Sequence, residues 1–122
     1  MQIVPIAHTS TQVQFTSDAG SAIARWMGAG PPELGVPVDV ELDLASPYRW
    51  DEVEVLAEAT PGLSIGPDGT VLCAQLVQVE GDGVVTLGLP RVEFPAESVG
   101  EAPPPGVFVR FAVELALWPT GL

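Results

Sequence analysis

The sequence predicts an all-β protein: one small antiparallel domain over residues 1–122, folded as a partly closed, OB-like barrel or as a β-sandwich of about six to eight strands. Three observations lead there. Short Val-rich segments alternate between apolar and polar positions, the period of a half-buried strand. Thirteen prolines and thirteen glycines punctuate those segments at turn spacing. One central segment is apolar on both faces, as a strand is inside a bent or closed sheet. A chain of 122 residues with 47% apolar content can bury a core of its own. No internal repeat and no linker divides it.

The elements follow in order. The apolar opening "MQIVPIA" lacks a basic leader region, so it is read as part of the fold and not as a signal peptide. "TQVQFT" and "SAIARWM" flank "SDAG", where Gly20 can supply a positive φ; this predicts a hairpin. A short helix over 18–27, capped by Asp18, competes with it. "GAGPPELG" is a loop, because adjacent prolines and clustered glycines oppose regular structure.

The next strand is the clearest. Val36, Val38, Val40, Leu42 and Leu44 share one face, while Pro37, Asp39, Glu41 and Asp43 share the other. "DEVEVLAEA" alternates again, with Val53 and Val55 opposite Glu52 and Glu54. "TPGLSIGPDG" reads as loop ending in a turn. "TVLCAQLVQVEGDGVVTLGL" reads as a long hairpin turning at Gly81-Asp82-Gly83, its first arm buried on both sides. "RVEF" is a short extended piece, and "PAESVGEAPPPG" an exposed, partly polyproline loop. The last strand, "GVFVRFAVELALW", points Val107, Val109, Phe111, Val113, Leu115 and Leu117 inward. Trp118 is expected to close one end of the core, and Trp26 to pack under the glycine-rich loop.

Charge narrows the function. Sixteen acids face four arginines and no lysine, a net charge of -12. Such a chain repels phosphate backbones, so nucleic acid is not an expected partner; the field attracts basic proteins and speeds their association. No apolar run approaches the ~20 residues of a membrane span, and a cytoplasmic location is the expectation. The single cysteine, Cys73, cannot form an intrachain disulfide or a multi-cysteine zinc site, and its apolar strand suits a buried thiol.

Catalytic chemistry finds little support. His8 is the one histidine; Ser10 and Ser17 could nominally pair with it, but no G-x-S-x-G elbow is present. Without lysine there is no Schiff base and no P-loop. Asp39, Glu41 and Asp43 sit about 6.6–6.8 Å apart along a strand, too far to converge on one calcium ion. A glycosidase-like acid pair would need one carboxyl isolated with a raised pKa, which a row of solvated acids does not provide. The expectation is a protein with no catalytic residue, no metal and no cofactor; the enzymatic alternative requires an enclosed barrel mouth.

What remains is a recognition surface. Seven carboxylates fall within residues 39–58: Asp39, Glu41 and Asp43 on one strand, then Asp51, Glu52, Glu54 and Glu58. Tyr48, Arg49 and Trp50 lie between, and Trp, Tyr and Arg are the residue types that dominate interface energetics. If the two acidic strands pair, like charges oppose one another at up to about 1 kcal/mol per direct pair. These ten residues form the expected partner-binding set, set against the plainer alternative that Trp50 anchors the turn in the core and the acids are merely solvated.

The segments "VDVELDL…YRW", "LVQVEGDGVVTLGL" and "VFVRFAVELALWP" together resemble small, acidic, all-β bacterial proteins of the immunity type, which neutralise a cognate toxin. The resemblance covers about residues 35–119 by pattern and brings no catalytic residues. It implies a monomeric or homodimeric cytoplasmic inhibitor of a basic, nuclease-like toxin. A structural or accessory subunit of a bacterial or phage assembly, using free sheet edges, is the alternative.

Overall fold

The computed structural model describes residues 1–120. Twelve strands follow one another: β1 (Gln2–His8), β2 (Gln12–Ser17), β3 (Gly20–Trp26), β4 (Val38–Leu44), β5 (Tyr48–Arg49), β6 (Glu54–Leu56), β7 (Gly62–Gly66), β8 (Gly69–Gly81), β9 (Val84–Leu89), β10 (Val92–Val99), β11 (Phe108–Ala112) and β12 (Leu115–Pro119). One 3₁₀ turn, Trp50–Glu52, is the sole helical element among the described residues.

Five of these close a barrel in the circuit β1–β2–β3–β12–β4 and back to β1. Every pairing is antiparallel except β3 with β12, where Ala24, Arg25 and Trp26 run beside Leu115, Ala116 and Leu117. Closure removes the sheet edges, and the Greek-key return gives the OB-like character the sequence predicts. Alternation decides what fills the barrel: Ile3, Val13, Phe15, Ala22, Ala24, Val40, Leu42, Leu44, Leu115 and Leu117 are all buried. Phe15 stands opposite Ala22, a large side chain against a small one, as the limited bore of a small barrel requires. The register of β1 shifts between Pro5 and Ala7; such a bulge bends a strand, and β1 spans both β2 and β4.

Residues 45–114 leave the barrel after β4 and return before β12. Their two ends meet, the Ala45 N–H donating to the Glu114 carbonyl at 2.9 Å. Strand β8 is the spine of this inserted unit. β7 and then β9 line one edge and β11 the other, with β10 beyond β9 and β6 beyond β11. The β8–β9 hairpin turns where expected: Asp82 and Gly83 have φ of 53° and 81°, the pair of positive values that suits the right-handed twist of a hairpin.

One hydrophobic cluster runs through barrel and insert. Gly20 touches the seam: its φ is 125°, and a Cβ there would lie 2.1 Å from the Leu63 carbonyl oxygen. The Leu63 N–H in turn donates to Ala19 at 2.7 Å.

The expected hairpin forms as β2 and β3, and the competing helix over 18–27 does not, because β2 supplies a continuous pairing partner. Other local expectations change. "GLSIG" is strand β7, paired to β8, where loop was expected; its glycines mask the pattern. β10 continues through Pro95 to Val99, burying Phe94, Ala96 and Ser98. Since the Ser98 N–H donates toward β9, to Gly83, the imide nitrogen of Pro95 falls on the opposite edge, where no N–H is needed. The last predicted strand breaks at Val113-Glu114 into β11 and β12, which serve the insert and the barrel respectively. Val36 lies before β4 and is exposed, and Trp118, expected to close the core, is 46% exposed. Trp26 does underpin its loop, its indole N–H donating to Gly30 O at 2.7 Å.

Candidate partner-binding surface

Asp39, Glu41 and Asp43 all project outward from β4, as the alternation predicts. Across the β12 ladder Trp118 stands directly opposite Glu41 and Ala116 opposite Asp43, while Gln2 of β1 faces Asp39. Thus one wall of the barrel presents three carboxylates and an exposed indole.

The second group of predicted site residues lies elsewhere. β4 pairs with β1 and β12, whereas β6 pairs with β11, so the two acidic runs are not neighbours and no like-charge ladder forms between them. Tyr48 and Trp50 are buried at 7% and 8% exposure. Their rings meet edge to face at 5.2 Å, Tyr48 also packs on Phe111 at 4.7 Å, and the Trp50 indole donates to Ser98 Oγ at 2.9 Å. These two residues anchor the insert and are not on the surface. Arg49 donates to Asp51 at 3.1 Å and lies 3.8 Å from Glu52; the hydrogen bond from the guanidinium holds the exposed Asp51 carboxyl below its usual range. Glu54 is engaged by Arg110. Glu58 is exposed and lines a cavity with Arg110 and Cys73. Of the ten residues expected to act together, the three on β4 share an open face free of arginine, while Arg49, Asp51 and Glu52 form a separate, self-paired exposed group.

Two acids that the sequence reading passed over join them. Glu93 and Glu97 lie on the outward face of β10, and two cavities open between β10 and β4. The first, about 310 Å³, is lined by Asp43, Ala45, Ser46, Pro95 and Glu97 among others. The second, about 520 Å³, has Met1, Glu41, Asp43, Glu93, Pro95 and Trp118 on its walls. The signal was present in the alternation of Phe94, Ala96 and Ser98, but Pro95 at its centre reads as a loop residue.

No arginine neutralises the charge on this surface. Each of the four arginines pairs with an acid elsewhere: Arg25 with Glu114, Arg49 with Asp51 and Glu52, Arg91 with Asp18, and Arg110 with Glu54. Among the described residues none reaches Asp39, Glu41, Asp43, Glu93 or Glu97. No family model matches this chain, and no curated protein or solved structure is found to be similar to it.

Other groups are arranged structurally. His8 is exposed, its Nδ1 placed as donor 3.2 Å from the Thr9 carbonyl. Ser17, opposite Ile3 at the far end of β1, is out of its reach and bonds instead to Gly20 O at 3.0 Å. Ser10 makes no hydrogen bond with His8 among the described residues. No three His, Cys, Asp or Glu side chains gather there in a metal-binding group. Burial pushes the Cys73 thiol up, against a smaller opposing effect of Arg110, which disfavours the reactive thiolate. No helix among the described residues is long and apolar enough to cross a membrane.

Proposed function

We propose that this chain is a non-enzymatic binding protein that receives a basic protein partner on the acidic wall formed by β4 and the facing edge of β10. In its most concrete form it is a cytoplasmic, immunity-type inhibitor that covers the cationic active site of a nuclease-like toxin. The observation that carries the reading is the unneutralised band of Asp39, Glu41, Asp43, Glu93 and Glu97, left over after every arginine is paired elsewhere. A concentrated field of one sign raises association rates by about 10–10³-fold and is screened by salt. Acids that were only solubilising would not need to converge from two unpaired strands.

The test uses the partner recovered on the immobilised chain, identified and purified. Its association rate is measured at low and high ionic strength, with the unmodified chain and with Asp39→Asn, Glu41→Gln and Asp43→Asn combined. A steep fall with salt, flattened in the triple variant, is expected. A rate indifferent to both would overturn the reading.

A role as an assembly subunit is favoured by one different feature. The Gly35 N–H donates to Pro5 O at 2.7 Å and so sets the exposed Leu34 and Val36 beside the exposed Ile6. That role predicts self-association or a hetero-oligomer in sizing experiments, removed by Leu34→Ser with Ile6→Ser.

A further inference from the structure

The three tryptophans are used unequally. Trp50 is buried and bonded to Ser98, and Trp26 is bonded to Gly30. Trp118 is 46% exposed and, among the described residues, makes neither a hydrogen bond nor a ring–ring contact. Trp118 lines the 520 Å³ cavity between β4 and β10, with Glu41, Asp43 and Glu93 on the other walls, and also a cavity beside Trp26, Gly28 and Pro31. Glu41 is its direct cross-strand neighbour, at the ~5.5 Å Cα spacing of a hydrogen-bonded pair. The one cationic group on this wall, the Met1 ammonium, is held by the Val40 carbonyl at 3.1 Å.

An open aromatic face beside carboxylates from two strands is a recognition arrangement for one side chain. A guanidinium is planar: it stacks on an indole while its edge donates two parallel hydrogen bonds to a carboxylate. An ammonium makes the second contact only as a point charge.

We propose that the Trp118 cavity takes an arginine side chain presented by the basic partner protein, with Trp118 stacking on the guanidinium and Glu41 and Glu93 accepting from it. This rests on the acidic-wall reading and adds to it a single anchoring pocket. Because Trp and Arg are the commonest interface anchors, one such pocket can carry a large share of the binding energy.

The probe is a hexapeptide alternating Arg and Gly, titrated into the intact chain while the three indole N–H resonances are followed by NMR. The same peptide with citrulline or lysine in place of arginine serves as comparison. The arginine peptide is expected to shift the Trp118 signal, identified by its loss in Trp118→Phe, and to leave the Trp50 signal in place. Citrulline should produce no shift, and lysine should bind more weakly. Trp118→Ala and, separately, Glu93→Gln should each weaken binding at least ~10-fold, whereas Glu58→Gln should leave it unchanged. Equal binding of the citrulline peptide, or full binding by both Trp118→Ala and Glu93→Gln, would overturn the proposal. If those two variants bind normally while the triple β4 variant does not, the acidic wall stands and the arginine pocket falls. If none of them matters, both fall.

Discussion

The Thr70 hydroxyl donates to the Ile23 carbonyl oxygen at 2.7 Å and accepts from the Ile23 N–H at 2.9 Å. A single side chain of the inserted unit thereby stands where a neighbouring strand would be. β7 meets β3 only at Gly20, and β12 meets it from Ala24 onward; Ile23 lies between them, and Thr70, itself buried, closes the gap. Thr70 also accepts at its carbonyl from the Val113 N–H at 2.9 Å, at the break between β11 and β12.

Replacing Thr70 by valine keeps the shape and removes both bonds, leaving a donor and an acceptor of Ile23 without partners. The expected loss is about 2–4 kcal/mol in urea unfolding, whereas Thr70→Ser keeps the hydroxyl and should lose no more than ~1 kcal/mol. A valine variant as stable as the unmodified chain would show that the seam is held by packing alone.

Tyr48, the single tyrosine, buries a hydroxyl that has no hydrogen-bond partner among the described residues. Burial raises its phenol above the ordinary value of 10.0. Below that pH both folded and unfolded chains keep the proton. Above it the unfolded chain ionises first, so stability is fully present below pH ~10 and is lost as pH rises beyond it. Absorbance at 295 nm should therefore rise together with unfolding and not ahead of it. Tyr48→Phe keeps the contacts with Trp50 and Phe111 and should be neutral or up to ~2 kcal/mol more stable, with the alkaline loss reduced.

Gly20 combines a φ of 125° with a Leu63 carbonyl oxygen 2.1 Å from where a Cβ would stand. Gly20→Ala must both strain the backbone and push β7 away from β3, and is expected to cost at least ~2 kcal/mol. Gly30→Ala, at a glycine with open space around it and no positive φ, is the control and should change the unfolding midpoint little.

Cys73 should react slowly with a disulfide reagent at pH 8 in the folded chain and rapidly in denaturant, since burial both covers the sulfur and raises its pKa. Rapid labelling of the native protein would mean that β8 opens locally between β7 and β11.

Legibility followed the alternation. The β2–β3 and β8–β9 hairpins, the two-faced burial of the Leu72–Leu76 segment and the outward row Asp39, Glu41, Asp43 could all be read from period-2 patterning and turn residues. Pattern failed where glycine or proline stood in a strand, at Gly62–Gly66 and at Pro95, because the pairing that overrides their poor strand propensity comes from residues distant in sequence. Tyr48 and Trp50 fit an interface and a core equally well by composition, and only the neighbours Phe111 and Ser98 decide for the core.

By itself the sequence determined the class of this protein, an all-β domain with an outward acidic strand and a large surplus of acids, and left barrel and sandwich open, because strand periodicity and net charge are local and additive properties. The tertiary structure alone decided which acids stay free. Arg25 meets Glu114 and Arg110 meets Glu54 across strands far apart in the chain, and β10 brings Glu93 to face Glu41 and Trp118. Charge pairing and pocket formation depend on which strands become neighbours, and closure of the barrel by β3 and β12 sets that arrangement.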